Sequence, residues 1–165
     1  MDPSVLRAMA RWPDVPAVYG WLALDRRGHW LLKDPADVRF NRIGNAALRD
    51  FIARNYAADD RGCWYFQNGP QRVYVALAYT PLVLRYEGEA LVDHCGRAAR
   101  ALATFVDEEG SVLIQGERAL GLLDDRDLAR FAARLGADWR ALPRVASRAV
   151  GARFGFVSNP SDSLH

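Results

Sequence analysis

Lysine is almost missing from this chain: of 22 basic residues, 21 are arginine and Lys33 stands alone. Leu32 precedes it where a P-loop places glycine, so a Walker-type nucleotide site is excluded. A Schiff-base mechanism would need that amine desolvated, yet Lys33 abuts Asp34-Pro35 at the end of an expected strand. Cysteine is scarce as well. Cys63 and Cys95 are the only two, and they read as free thiols rather than a disulfide framework. His29, His94 and His165, taken with those thiols, show no paired spacing, whereas zinc needs about four converging ligands. No metal site and no cofactor is expected. Long apolar runs are absent too: Pro81-Leu-Val-Leu84 is far too short to cross a bilayer. The stretch Met1–Arg11 lacks the apolar segment of a signal peptide, so the expectation is a cytoplasmic protein with no membrane partner. Gly-x-Ser-x-Gly, His-Glu-x-x-His and Gly-x-Gly-x-x-Gly do not occur.

What is present is a core and a repeat. The chain has 165 residues, half of them apolar and 11% aromatic, enough for a single compact domain over residues 1–165. Two segments share one pattern: a strand, Asp-x-x-Gly, a second strand, a loop and an amphipathic helix. The first runs through Asp25-Arg-Arg-Gly28 to a helix at 46–56, the second through Asp107-Glu-Glu-Gly110 to a helix at 126–135. Asp25 and Asp107 are 82 residues apart, and Phe51 and Phe131 are 80 apart. This predicts an α+β fold, antiparallel and β-rich, with two internally repeated units. Unit one spans about 17–57 and unit two about 101–136. Intervening hairpins occupy about 62–96, and 137–165 form a C-terminal extension.

Within this frame, residues 3–11 read as a short helix and 34–44 as a loop, with Asn45 as the cap of the first repeat helix. Strands are expected at 63–67, 72–78, 82–86 and 90–94, the first pair joined by the turn Asn68-Gly-Pro-Gln71. Asp124 or Asp125 is placed to cap the second helix. Residues 144–150 look helical and 153–157 suit an edge strand. The expected core includes Trp21, Trp30, Leu48, Ile52, Trp64, Phe66, Val75, Ile114 and Phe131.

The run Trp64-Tyr-Phe-Gln-Asn-Gly-Pro-Gln-Arg-Val-Tyr-Val75, with its Phe66–Val73 segment, is the most distinctive stretch. With Gly20-Trp-Leu-Ala-Leu-Asp25 and Leu122-Leu-Asp-Asp-Arg-Asp-Leu128, it resembles a proteobacterial family of small proteins of unknown function, from about Trp12 to Leu135. The element order is also similar to a second uncharacterised bacterial family of repeated β-rich units ending in a helix, which is linked loosely to signalling. Neither resemblance implies catalytic residues.

Three readings of function compete. The preferred one is a non-catalytic cytoplasmic binding or regulatory module that recognises a protein or a small ligand. Its candidate site is the amide-rich turn Gln67, Asn68 and Gln71 with Arg72, because amides offer donors and acceptors without desolvating a charge. Period-two alternation puts Trp64 and Phe66 on one strand face and Tyr65 and Gln67 on the other. If Gln67 and Gln71 face solvent, replacing both by alanine leaves stability within about 0.5 kcal/mol. The alternative is an enzyme assembled around Asp93, His94, Cys95 and His29, although adjacent strand residues point to opposite faces, so His94 and Cys95 would need a bend near Gly96 to meet. A further alternative is binding of nucleic acid or an acidic partner through the stripe Arg126, Arg130 and Arg134. Residues 126–153 carry seven arginines against Asp127 and Asp138. The pI of 8.7 and the lack of a base-reading motif argue against nucleic acid, whose domains usually exceed about 9. Helix capping explains Asp124-Asp125, and a solvated hairpin tip explains Asp107-Glu108-Glu109.

Overall fold

The computed structural model describes residues 1–164. The chain folds into two compact units: the first comprises Met1–Asp25, His29–Ala78 and the chain from Gly155 onward, the second Arg26–Gly28 and Tyr79–Phe154.

In the first unit, α1 (Pro3–Arg11) begins with proline in its first turn, where a missing amide hydrogen costs nothing. Six strands follow, interrupted by one helix: β1 (Val18–Leu24), β2 (Trp30–Lys33), β3 (Phe40–Arg42), α2 (Ala46–Arg54), β4 (Tyr56–Ala58), β5 (Trp64–Asn68) and β6 (Gln71–Leu77). They form one sheet in the order β3-β2-β1-β6-β5-β4. All neighbours are antiparallel except β1 and β6. Asn45 caps α2 as expected, its side chain accepting from the Leu48 amide at 2.9 Å. The helix ends at Arg54 rather than 56. Asn55 is wholly buried and is held by the Phe51 carbonyl and the Asp2 amide, which releases Tyr56 into β4. On the α2 side of the sheet, Phe51 meets Phe66 edge-on at 5.5 Å, and Trp30 meets Tyr56 at 4.9 Å.

Two expected core residues lie outside. β1 is irregular between Val18 and Leu22, with Gly20 at φ +76°, and this bulge leaves Trp21 41% exposed. Leu48 is 38% exposed in the first turn of α2, while Ile52 is the residue that helix buries. The expected loop at 34–44 contains β3, paired with β2.

The second unit holds β7 (Leu82–Glu87), β8 (Ala90–Asp93), β9 (Ala98–Ala99), β10 (Ala103–Val106), β11 (Val112–Gln115), β12 (Leu120–Leu123), α3 (Leu128–Leu135) and α4 (Val150–Phe154). Its sheet order is β10-β11-β12-β7-β8-β9, again with a single parallel pair, β12 and β7. Leu84, Val106, Val112, Ile114, Leu123 and Phe131 form its core. Residues 150–154 are helical, so the edge strand expected at 153–157 reduces to one parallel bridge between Val157 and Cys63 in the first unit.

The two sheets share one topology. Each contains two three-stranded meanders, and the first strand of the first meander lies parallel to the last strand of the second. The fold is therefore α+β with an internal repeat, and the equivalence runs β1–β6 onto β7–β12. In that order the counterpart of the Asp107 turn, between β10 and β11, is Asp59-Asp-Arg-Gly62 between β4 and β5. The Asp25 turn sits instead between the first two strands of its unit.

Asp-x-x-Gly occurs four times, at Asp25, Asp59, Asp93 and Asp107, each time as the same device. In each, the aspartate and the residue four positions on exchange a backbone hydrogen bond from the aspartate amide. The aspartate Oδ1 accepts the amide of that fourth residue at 2.8 to 3.0 Å. Its Oδ2 takes a side-chain donor: His29 for Asp25, Tyr74 for Asp59, Arg118 for Asp93 and Tyr79 for Asp107. Asp107 is thus fully buried, not part of a solvated tip.

Candidate ligand-binding groove

The β5–β6 hairpin places Gln67 directly opposite Arg72 and Tyr65 opposite Tyr74, so all four side chains share the sheet face turned away from Phe51 and α2. The alternation expected from sequence holds, with Trp64 and Phe66 buried on the opposite face. The second face is not open solvent, however. The segment after α1 runs along it and is tied to the hairpin by the Gln71 side chain, whose Nε2 donates to the Pro16 carbonyl at 3.3 Å. Between them lies a groove of about 400 Å³. Met9, Trp12 and Val15 contribute one wall, and Gln67, Pro70, Arg72 and Tyr74 the other.

Gln67 is only 2% exposed, which corrects the solvent-facing position expected for it. Its Nε2 donates to the Gly69 carbonyl at 3.0 Å. That carbonyl can only accept, so the orientation of the amide is fixed and the Oε1 must point the other way. Oε1 is buried and has no hydrogen-bond partner. Leaving a buried acceptor unmet costs about 1–3 kcal/mol, and among the described residues it is the one buried side-chain polar atom left so. Asn68, also a candidate, is exposed at the tip, and Gln71 is half-buried.

Arg72 is half-buried and stacks on the Tyr65 ring with its guanidinium carbon 4.0 Å from the ring centre. Burial acts most strongly and lowers its pKa, but a hydrogen bond to Tyr74 together with the electrostatic pull of Tyr65, Tyr74 and Asp59 outweighs that and raises it. Among the described residues no carboxylate lies within ion-pairing distance of it; the nearby Asp59 is committed to Arg61 and the Tyr74 hydroxyl. Tyr74 is itself fixed: it stacks on Tyr19 at 4.5 Å, donates to Asp59 at 2.8 Å and accepts from Arg61 at 3.2 Å. Burial pushes its hydroxyl pKa up, so it stays a neutral donor. Gln67, with its unmet acceptor, and Arg72, a cation with no carboxylate partner, thus line the groove as cross-strand neighbours. The amide-rich turn marks Gln67 and Arg72 in the sequence, but no local pattern marks Trp12 and Met9, whose nearness depends on how the segment after α1 returns across the sheet.

The alternative sites look different. His29 Nδ1 lies 2.9 Å from Asp25 in the first unit. In the second unit β8 stops at Asp93, and the turn through Gly96 at φ +79° brings His94 Nε2 to 3.7 Å from Cys95 Sγ, because strand alternation no longer applies there. His94 Nδ1 accepts the Val83 amide at 3.2 Å. A neutral ring therefore carries its proton on Nε2, toward the sulfur, and is not set up to remove the thiol proton. Burial and the charge of Asp93 push the Cys95 thiol up to about 11, the reverse of an activated nucleophile. Cys63 and Cys95 are both free thiols. Among the described residues no three His, Cys, Asp or Glu side chains converge as a metal site; His165 lies outside them.

The arginine stripe is engaged within its own unit. Arg126 grips Asp124 with two bonds, at 2.8 and 2.6 Å. Arg130 and Arg134 both reach Glu89, Arg130 also bonds the Gly88 carbonyl, and both stack on Tyr86. Asp124 caps the start of the helical segment by accepting the Arg126 amide at 3.0 Å.

The paired six-stranded sheets place this chain with a known architecture. It is similar to a crystal structure of a DUF1285 family protein from Silicibacter pomeroyi DSS-3, with TM-score 0.53 and 14% identity over 80% of this chain and 75% of that one. It also matches a DUF1285 family protein from Shewanella baltica OS155, with TM-score 0.47 and 14% identity over 72% of this chain and 94% of the other. More particularly, residues 1–161 match the family DUF2944, described as Protein of unknown function (DUF2946), and the chain belongs to it. The match extends past Leu135, where the resemblance read from sequence stops, and takes in α4. No curated protein matches the chain. No catalytic function is indicated by any of these matches. Among the described residues, no helix is long and apolar enough to cross a membrane.

Proposed function

We propose that this protein is a non-catalytic cytoplasmic binding module, and that the groove of its first unit recognises a small ligand or a peptide segment. The observation that carries the reading is the buried Gln67 in the groove lining, whose Oε1 has no hydrogen-bond partner. A fold keeps such an atom at a cost, and a ligand hydrogen would recover it. The volume, about 400 Å³, falls in the range of small-molecule sites, which combine apolar walls with a few placed polar groups. The proton placement at His94 and the raised Cys95 thiol weigh against the enzyme reading, and the internal pairing of Arg126, Arg130 and Arg134 weighs against nucleic acid. The test is two-dimensional NMR with a set of small carboxylate-, amide- and amine-bearing fragments. Hits are expected to shift the side-chain NH signals of Gln67, Arg72 and the Trp12 indole. If no fragment moves these signals, the groove is not a binding site.

A further inference from the structure

Resting on the groove being a binding site, we propose that its ligand is an N-acylated α-amino acid with an apolar side chain, either free or as the C-terminal residue of a peptide. Arg72 is a half-buried guanidinium with no carboxylate partner, stacked so that its planar fork is held in place. It calls for an anion. Among the described residues it is also the one cation lining the groove, so a single negative charge is matched and a doubly charged phosphate is not. A carboxylate fits.

Gln67 Oε1 sets the second requirement. It accepts only, so the ligand must donate a hydrogen to it. Gln67 and Arg72 are direct cross-strand partners, whose side chains leave the sheet about 5 Å apart. The donor must therefore sit next to the carboxylate, as the α-nitrogen of an amino acid does. A free ammonium is disfavoured, because among the described residues no acidic one lines the groove to neutralise it and a cation would face Arg72. An amide N–H satisfies Oε1 without a charge. The side chain on the α-carbon then falls toward Met9, Trp12 and Val15, which are apolar.

The experiment is calorimetric titration of the full chain with four probes, each checked by the NMR shifts of the Gln67 and Arg72 side chains. N-acetyl-leucine is expected to bind in the groove. N-acetyl-leucinamide, lacking the carboxylate, and leucine, with its ammonium, are each expected to bind at least ten-fold more weakly. The tripeptide Ala-Ala-Leu distinguishes the sources: tighter binding than N-acetyl-leucine assigns a peptide C-terminus, weaker binding a free acylated amino acid. Arg72→Met is expected to abolish the preference for acid over amide, and Arg72→Lys, which retains charge and stem, to restore part of it. Equal affinity for N-acetyl-leucine and its amide, with shifts at the groove, overturns the carboxylate assignment while leaving the groove a binding site. Silence of the Gln67 and Arg72 signals to all four probes, while other fragments move them, overturns the ligand class alone. Silence to those fragments as well overturns both.

Discussion

Single carboxylates anchor much of this structure, and Asp124 shows how. It is buried, and its bidentate hydrogen bond with Arg126 outweighs burial and lowers its pKa from 3.8 to about 2. A group whose folded pKa is depressed contributes stability that is present above its unfolded value and lost as pH falls through the folded one. Asp124 therefore supplies about 2 kcal/mol above pH 4, disappearing toward pH 2. Asp124→Asn is expected to cost about that much in urea unfolding at pH 7, and less than about 1 kcal/mol at pH 2. A difference that does not change with pH would mean the ion pair is not the cause. Gln67 marks the limit of sequence reading at this scale. Period two named its face, but burial of that face comes from the Trp12–Ala17 segment crossing it, which no local pattern encodes. The double alanine replacement of Gln67 and Gln71 is accordingly not neutral: one side chain is buried and the other ties down the Pro16 carbonyl.

Among the elements, the Asp-x-x-Gly turn is the recurring one. Two of its four copies were legible in the sequence as repeat markers. The other two were hidden, one in the segment before Cys63 and one in the Asp93-His94-Cys95-Gly96 run, which draws the eye as possible chemistry. All four serve the backbone. The glycines differ only in surroundings, and that difference is testable. Gly110 (φ +83°) has nothing within 4 Å of where a Cβ would stand, so Gly110→Ala meets conformational strain alone, about 1–2 kcal/mol. Gly62 (φ +79°) has the same strain, but its Cβ would run into the Gly155 carbonyl oxygen. Gly62→Ala is expected to exceed Gly110→Ala by at least about 1 kcal/mol in denaturant unfolding, since packed backbone cannot relax cheaply. Equal costs would show that Gly155 yields freely. Short strands such as β3, β4 and β9 were missed because two or three residues carry no periodicity.

For the whole molecule, duplication was readable in the sequence but its register was not. Similar turns at Asp25 and Asp107 suggested equivalence by local chemistry, whereas strand order equates the turns at Asp59 and Asp107. The two sheets have also diverged at the positions of Gln67 and Arg72. At the β11–β12 hairpin, Gln115 takes the place of Gln67 and likewise donates to a nearby glycine carbonyl, that of Gly116. Its cross-strand partner, however, is Leu120 rather than an arginine, and the cavity beside that hairpin is about 120 Å³. One copy of the topology carries an unmet acceptor next to an unpaired cation; the other does not.

Whether Gln67 Oε1 is retained for a ligand rather than for the fold is decided by denaturant unfolding of Gln67→Met without any ligand. Methionine keeps the volume and length of the side chain. It gives up the bond to Gly69, worth about 0.5–1.5 kcal/mol, but removes a buried unmet acceptor that costs about 1–3 kcal/mol. The predicted result is a stability equal to the wild type or up to about 1 kcal/mol higher. A loss of more than about 2 kcal/mol would show instead that the amide is structural.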